Sequence, residues 1–273
     1  MSKTASVVAR YPLEGGVSPK AHQNRLLTSL PDQEFERLRP HLMPTVLGYK
    51  CPLYEASAPI EFVHFIETGV ASLVNTMTNG DVAEVGTIGN EGFVGIPVLF
   101  GDQEAPTSVY VQVCGAGLKM KVNLFRAELQ RNAFMQRAML HYAHAFFNLI
   151  AQSAACNTLH LLEQRCCRWL LMTQDRMQSS DFPLTQEFLA MMLGVRRAGV
   201  TDAANALKQA GLIKYKRGCV TILDRAGLEK RTCECYGVTK REFDHLLGCF
   251  PPLRLKVKQS FRRVLTSEPL RPF

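Results

Sequence analysis

Leu184-Thr-Gln-Glu-Phe-Leu-Ala-Met-Met-Leu-Gly194-Val-Arg-Arg-Ala-Gly-Val-Thr-Asp-Ala-Ala-Asn-Ala-Leu-Lys-Gln-Ala-Gly211-Leu-Ile213 is the stretch that decides how this chain of 273 residues is read. Thr185 is a residue type that caps a helix N-terminus, and Glu187 suits the positive end of that helix's dipole. Phe188 stands where Glu or Gln would close a capping box, so the cap is expected to be one-sided. Ala190 is small where two helices must cross closely, and Gly194 permits a sharp turn four residues later. Val200 anchors a second helix against the first, and Gly211 ends that helix as a C′ residue. Small residue, turn glycine and apolar anchor at these offsets form a helix-turn-helix pattern.

A short hairpin follows: Leu212 to Tyr215, a turn at Lys216-Arg217-Gly218, then Cys219 to Leu223. Its tip is basic, as a wing touching phosphates would be. Arg196 and Arg197 open the second helix, and an arginine there can pair with guanine O6 and N7 in a major groove. The candidate nucleic-acid contacts are Thr185, Gln186, Arg196, Arg197, Gly199, Thr201, Asp202, Asn205, Lys214, Lys216 and Arg217. A lone arginine would read as a solvated surface charge. The arginine pair, the turn glycine and the basic hairpin together favour double-stranded DNA. Gly199 costs about 1 kcal/mol inside a helix relative to alanine, so it implies close approach to DNA backbone or to another helix.

Upstream, Leu161 to Met177 reads as a helix and Ser179 to Pro183 as a break. Asn123 to Asn157 lacks Gly and Pro and carries two apolar stripes. Met135, Met139, Tyr142, Phe146 and Leu149 form one; Leu140, Ala143, Phe147, Ile150 and Ala154 form the other. Each follows steps of three and four, so the helix needs two partners. We expect the first stripe on a β-domain and the second on another copy of the helix, against the alternative of burial within one chain. Between His41 and Val122 short β-rich runs appear: Phe62–Ile66, Val70–Val74, Val82–Val85, Ser108–Val113 and Leu118–Val122. Glycine-bearing turns are expected at Thr68-Gly69, Asn79-Gly80, Gly86, Gly89 and Gly115–Gly117, which suggests a small barrel or sandwich. Leu26 to Pro40 has helical spacing.

The fold class is α+β: an N-terminal jelly-roll-like β-roll, a long dimerisation helix and a C-terminal winged helix-turn-helix. The expected divisions are a tail over 1–25, the β-roll over 26–133, the dimerisation helix over 134–157, the winged domain over 158–228 and an extension over 229–273. That extension has six basic residues and one acid after Phe250, fitting either extra DNA contact or a solvated tail. A net charge of +8 favours an anionic partner. No apolar run reaches membrane-spanning length, and no secretory segment opens the chain. Nine irregularly spaced cysteines read as reduced thiols in a cytoplasmic protein.

The order of these parts resembles the Crp/Fnr family of bacterial transcription regulators. The resemblance covers roughly Leu26 to Tyr236. It is strongest at Gly89-Asn-Glu-Gly-Phe-Val-Gly-Ile-Pro-Val-Leu99, Ala151-Gln-Ser-Ala-Ala-Cys-Asn157 and Leu184 to Asp224. It implies a cyclic-nucleotide-binding-type β-roll, a homodimer through Leu140, Ala143, Phe147, Ile150 and Ala154, a palindromic operator and RNA polymerase as a partner. It also places an effector pocket at Phe93, Gly95, Ile96, Pro97, Thr107 and Ser108. Members that bind cyclic AMP carry Phe-x-Gly-Glu-Leu and Arg-Ser/Thr-Ala. Here Ile96 replaces the glutamate, and Pro106-Thr107-Ser108-Val109 has no arginine. An uncompensated buried phosphate is costly, so cyclic AMP is not the expected effector, which stays unidentified.

No cysteine precedes Cys51, which speaks against the N-terminal iron–sulfur cluster of the oxygen-sensing members. Cys166-Cys167 reads as core packing. Cys233-Glu-Cys235 is tighter than a usual zinc-ligand loop. His141 and His144 read as a polar helix edge, and His64 or His41 as structural ahead of haem ligation. No metal or cofactor is therefore expected. No nucleophile, acid/base pair or phosphate loop appears, so the chain is not expected to be an enzyme. The competing readings are a signalling protein whose helix-turn-helix contacts protein, and a thiol sensor acting through Cys51 or Cys114.

Overall fold

The computed structural model describes residues 22–216 and 218–248. Arg217 and the basic residues after Phe250 lie outside the described residues. The expected helix over Leu26 to Pro40 is divided into α1 (Arg25–Thr28), α2 (Asp32–Leu38) and a 3₁₀ turn (Arg39–His41). The division is local: Asn24 caps α1 by accepting from the Leu27 amide at 3.0 Å, and Pro31 precedes a fresh start.

The β-roll comprises β1 (Met43–Leu47), β2 (Pro52–Tyr54), β3 (Phe62–Thr76), β4 (Val82–Ile88), β5 (Phe93–Val94) and β6 (Ser108–Lys121), with the short helix α3 (Ile96–Leu99) before β6. The antiparallel order is β1-β6-β3-β4, with β2 on β6 and β5 on β3. Three expected turns are corrected here. Thr68-Gly69 and Gly115–Gly117 lie inside the two long strands, where the β3–β6 register shifts, and Gly86 lies within β4, paired with Leu73. Gly69 has φ +95°, and a Cβ on Gly115 would stand 1.9 Å from the Thr68 carbonyl oxygen. These glycines bend paired strands and do not end them. Asn79-Gly80 does turn the chain, within a loop closed by the Met77 amide on the Asp81 carbonyl at 2.8 Å.

The helix expected over Asn123 to Asn157 is broken at Asn132 into α4 (Val122–Arg131) and α5 (Ala133–Leu159). Asn132 is extended, and its side chain accepts from the Met135 amide at 2.9 Å. An asparagine that caps a new helix breaks a run that periodicity alone reads as continuous. Met135, Met139, Tyr142, Phe146 and Leu149 of α5 are buried on the roll. Leu140 and Phe147 are 44% and 67% exposed.

The winged domain is built from α6 (Leu162–Met177), β7 (Asp181–Pro183), α7 (Gln186–Leu193), α8 (Arg197–Gln209), β8 (Ile213–Lys216), β9 (Cys219–Ile222) and α9 (Arg225–Arg231). Its core gathers Cys166, Cys167, Leu170, Phe182, Leu189, Val200, Leu207 and Val220. The expected break at Ser179–Pro183 holds a strand, since β7 pairs with β9. The expected extension is also corrected over residues 235–248. That segment forms α10 (Cys235–Gly248), which returns to α5 and buries Phe243, Leu246 and Leu247 in the roll's core.

Roll and winged domain meet across a polar seam. Arg176 Nε donates to both Glu91 carboxylate oxygens at 3.0 and 3.1 Å, and its Nη2 donates to Oε1 at 2.7 Å. The remaining donors reach Thr87 Oγ1 at 2.6 Å and the Thr87 carbonyl at 3.1 Å. Both side chains are over nine-tenths buried, at 6% and 7% exposure. Nearby, Ser72 Oγ donates to Glu84 at 2.5 Å, yet burial pushes the Glu84 carboxyl up to about 7. Among the described residues no helix is long and apolar enough to cross a membrane.

Candidate nucleic-acid interface

Thr185 caps α7 as expected, accepting from the Phe188 amide at 3.1 Å. Gly194 follows in the left-handed region at φ +61°, turning the chain toward α8. Arg196 is the extended N-cap of α8, so the helix proper begins at Arg197. Val200, Ala203, Ala204 and Leu207 face inward, while Arg197, Asp202 and Asn205 project to solvent on the opposite face. Gly211, at φ +72°, ends the helix. Thr201 is partly occupied: its hydroxyl meets Gln186 Oε1 and the Arg197 carbonyl, both at 3.0 Å. Gly199 lies close to α6, where an added Cβ would meet Leu162 Cδ2 at 3.0 Å, in line with the close approach to another helix that its place in the sequence allows.

Arg197 Nη1 pairs with Glu187 at 2.7 Å, with side chains 62% and 65% exposed. The β8–β9 hairpin stands beside this face. Lys214 and Lys216 are exposed on it, and Gly218 takes φ +72° in its turn. Exposed cations on a protruding helix and an adjacent hairpin can accept a polyanion without first unmaking a core.

The β-roll holds a cavity of about 250 Å³ facing α5. Of the six expected effector residues, Gly95, Ile96, Pro97 and Thr107 line it. Phe93 does not: it is stacked among Phe65, Phe125 and Tyr142 at centroid distances of 5.8, 5.5 and 5.3 Å. Ser108 does not either, since its hydroxyl accepts from the Ala56 amide at 2.9 Å. The far wall is Ala143, Phe146, Phe147 and Ile150 of α5. Ala143, expected at a dimer contact, is 9% exposed and lines this cavity. No described lining residue carries a charge. His64, weighed as a haem ligand, is buried in β3, and burial with the Lys119 charge pushes it down to about 4.

Residues 164–231 match the family model described as a Crp-like helix-turn-helix domain. Several solved structures share this architecture. The c-di-GMP responsive global regulator CLP of Xanthomonas campestris aligns at TM-score 0.58 and 14% identity, over 71% of this chain and all of that one. FixK2 of Bradyrhizobium japonicum aligns at 0.59 and 11%, over 70% and 98%. A CRP-family transcriptional regulator of Thermus thermophilus, TTHB099, aligns at 0.56 and 17%, over 68% and 95%. The chain carries a Crp-like helix-turn-helix on a Crp/Fnr-type fold. No curated protein matches it.

One constellation in this Crp-like chain was missed by sequence reasoning. Cys233 and Cys235 were set aside because of their tight spacing. Folding brings them to Cys156 and His160, four residues apart at the end of α5. The local signal was that Cys-x-x-x-His pair at the C-terminal end of the helix, with His160 as its extended cap; its partners lie far along the chain.

Proposed function

We propose that the protein is a sequence-specific DNA-binding transcription regulator that works as a homodimer on an inverted-repeat operator. The observation that carries this is the solvent-facing side of α8, where Arg197, Asp202 and Asn205 stand beside the exposed lysines of the hairpin. The exposed Leu140, Phe147 and Ala154 on α5 supply the surface for a second copy. The uncharged cavity behind Phe147 receives the signal, and it suits an apolar molecule better than a cyclic nucleotide. A twofold dimer would present its α8 helices to major grooves about 34 Å apart.

Selection from a random duplex pool tests this reading. Enrichment of an inverted repeat with half-sites about one helical turn apart is the expected outcome. Enrichment of a single asymmetric site, or of none, overturns it. Phe147→Glu should yield monomers by light scattering and lose operator binding, while wild-type protein that is monomeric at micromolar concentration removes the dimer from the account.

A further inference from the structure

We infer that Cys156, His160, Cys233 and Cys235 form a mononuclear site for a soft, tetrahedral divalent cation of the zinc class. One donor atom from each lies within 4.8 Å of all the others. Cys156 Sγ stands 3.5 Å from Cys233 Sγ, and Cys235 Sγ stands 3.5 Å from His160 Nδ1. With metal–sulfur bonds of about 2.3 Å and metal–nitrogen bonds of about 2.0 Å, the edges of a tetrahedron are about 3.8 Å between sulfurs and 3.5 Å from sulfur to nitrogen. The Cys156–Cys233 and Cys235–His160 edges already lie within about 0.3 Å of these lengths, and the other pairs, all within 4.8 Å, need close by no more than about an ångström. Such a tetrahedron has no room for the several irons of an iron–sulfur cluster. Three thiolates and one imidazole are a donor set that selects zinc over oxygen-seeking cations.

The surroundings point the same way. His160 turns Nδ1 toward the sulfurs while its Nε2 lies 3.2 Å from Glu234 Oε2. A carboxylate on the far nitrogen fixes the ring and raises its basicity, as it does around metal-bound histidines. Gln152 Nε2 donates to Cys235 Sγ at 3.0 Å, an added hydrogen bond for a thiolate. Arg168, 8% exposed and held by Ser153 Oγ at 2.8 Å, places positive charge near Cys156. Three thiolates around a dication leave one net negative charge, which this arginine offsets. Packing alone explains three buried cysteines. It does not explain an imidazole nitrogen aimed among them with its other nitrogen held by a carboxylate.

The location gives the site a task. Cys156 and His160 close α5, immediately before α6 begins the winged domain. Cys233 follows α9, and Cys235 opens α10. An ion bound there ties the exit of the long helix to the exit of the winged domain.

The test uses the reduced, full-length protein, stripped by chelation and titrated anaerobically with cobalt(II). The expected result is one equivalent bound, with the intense visible bands of tetrahedral cobalt and a near-ultraviolet thiolate-to-cobalt band, both removed by zinc. Cys156→Ser and Cys233→Ser should abolish the spectrum, while Cys51→Ser, at an exposed position, leaves it intact. Glu234→Gln should weaken cobalt binding by roughly tenfold or more. No tetrahedral spectrum in the wild type, or one that survives either serine variant, overturns the site. Should those variants fail to fold, X-ray absorption of the zinc-loaded wild type decides: three sulfurs and one nitrogen support the site, and any other shell overturns it.

Discussion

Two arginine–glutamate pairs that engage the winged domain have similar bond lengths and opposite settings. Arg176–Glu91 spans the two domains at 2.7 Å and is almost wholly buried. Arg197–Glu187 joins the two helices of the helix-turn-helix, also at 2.7 Å, with both side chains more than 60% exposed. In the first pair every guanidinium nitrogen is used, and Thr87 takes what Glu91 does not. Leaving either partner alone would strand a charge in a low-dielectric seam. In the second, water and salt compete with the contact, so separation costs little. Distance alone therefore says nothing about role. The buried pair fastens the β-roll to the winged domain, and the exposed pair, under the proposed function, leaves an arginine free to exchange glutamate for DNA.

That contrast is sharpest in stability. Arg176→Met or Glu91→Gln should lower unfolding free energy by about 3–5 kcal/mol in urea titrations. Replacing both by leucine should restore much of the loss, because no lone charge then stays buried. Arg197→Ala should change stability by no more than about 0.5 kcal/mol. If the two single losses match, the distinction drawn from burial fails.

Acidity probes the same seam. Glu84 ordinarily titrates near 4.5, and in the folded chain its carboxyl is raised to about 7. The folded state holds this proton more tightly, so the group's contribution is full below about pH 4.5 and is lost as pH rises through 7. Glu84→Gln should match the wild type at about pH 5 and exceed it at about pH 8, by up to an order of 3 kcal/mol. A stability difference that does not change with pH would remove Glu84 from the seam's energetics.

Binding reverses the ranking of the pairs. Arg197→Ala should cost operator affinity about 1–3 kcal/mol while leaving scrambled DNA little changed. Equal loss on both DNAs would make Arg197 a phosphate contact. Lys216→Ala carries the smallest effect: a modest weakening on all sequences and a salt slope reduced by about one. A sequence-dependent loss at Lys216 would give the hairpin a base-reading role.

The helix-turn-helix was legible because its determinants are local. Thr185, Gly194, Val200 and Gly211 act within one short stretch, and each does in the structure what its residue type implies. The β-roll was legible as a type but not in its strand lengths, because a glycine at a bulge and one at a turn look alike without the partner strand. Asn132 hid in a helical run for a similar reason: whether it caps depends on the chain turning there. Strand β7 and helix α10 owe their form to partners distant in sequence, β9 for one and α5 for the other. The four donors between residues 156 and 235 share that difficulty, since no single window contains them.

Helix α10 has a mechanical consequence. The polypeptide leaves the sensor at Leu159, builds the winged domain, and comes home at Cys235 to lie along α5, with Asp244 reaching Arg25 at 2.8 Å and Phe243 stacked 6.3 Å from Tyr142. A module on a single strap can tumble about every axis. This one is joined at two ends and sealed between them at Arg176–Glu91, so any swing left to it turns about the line that joins those ends.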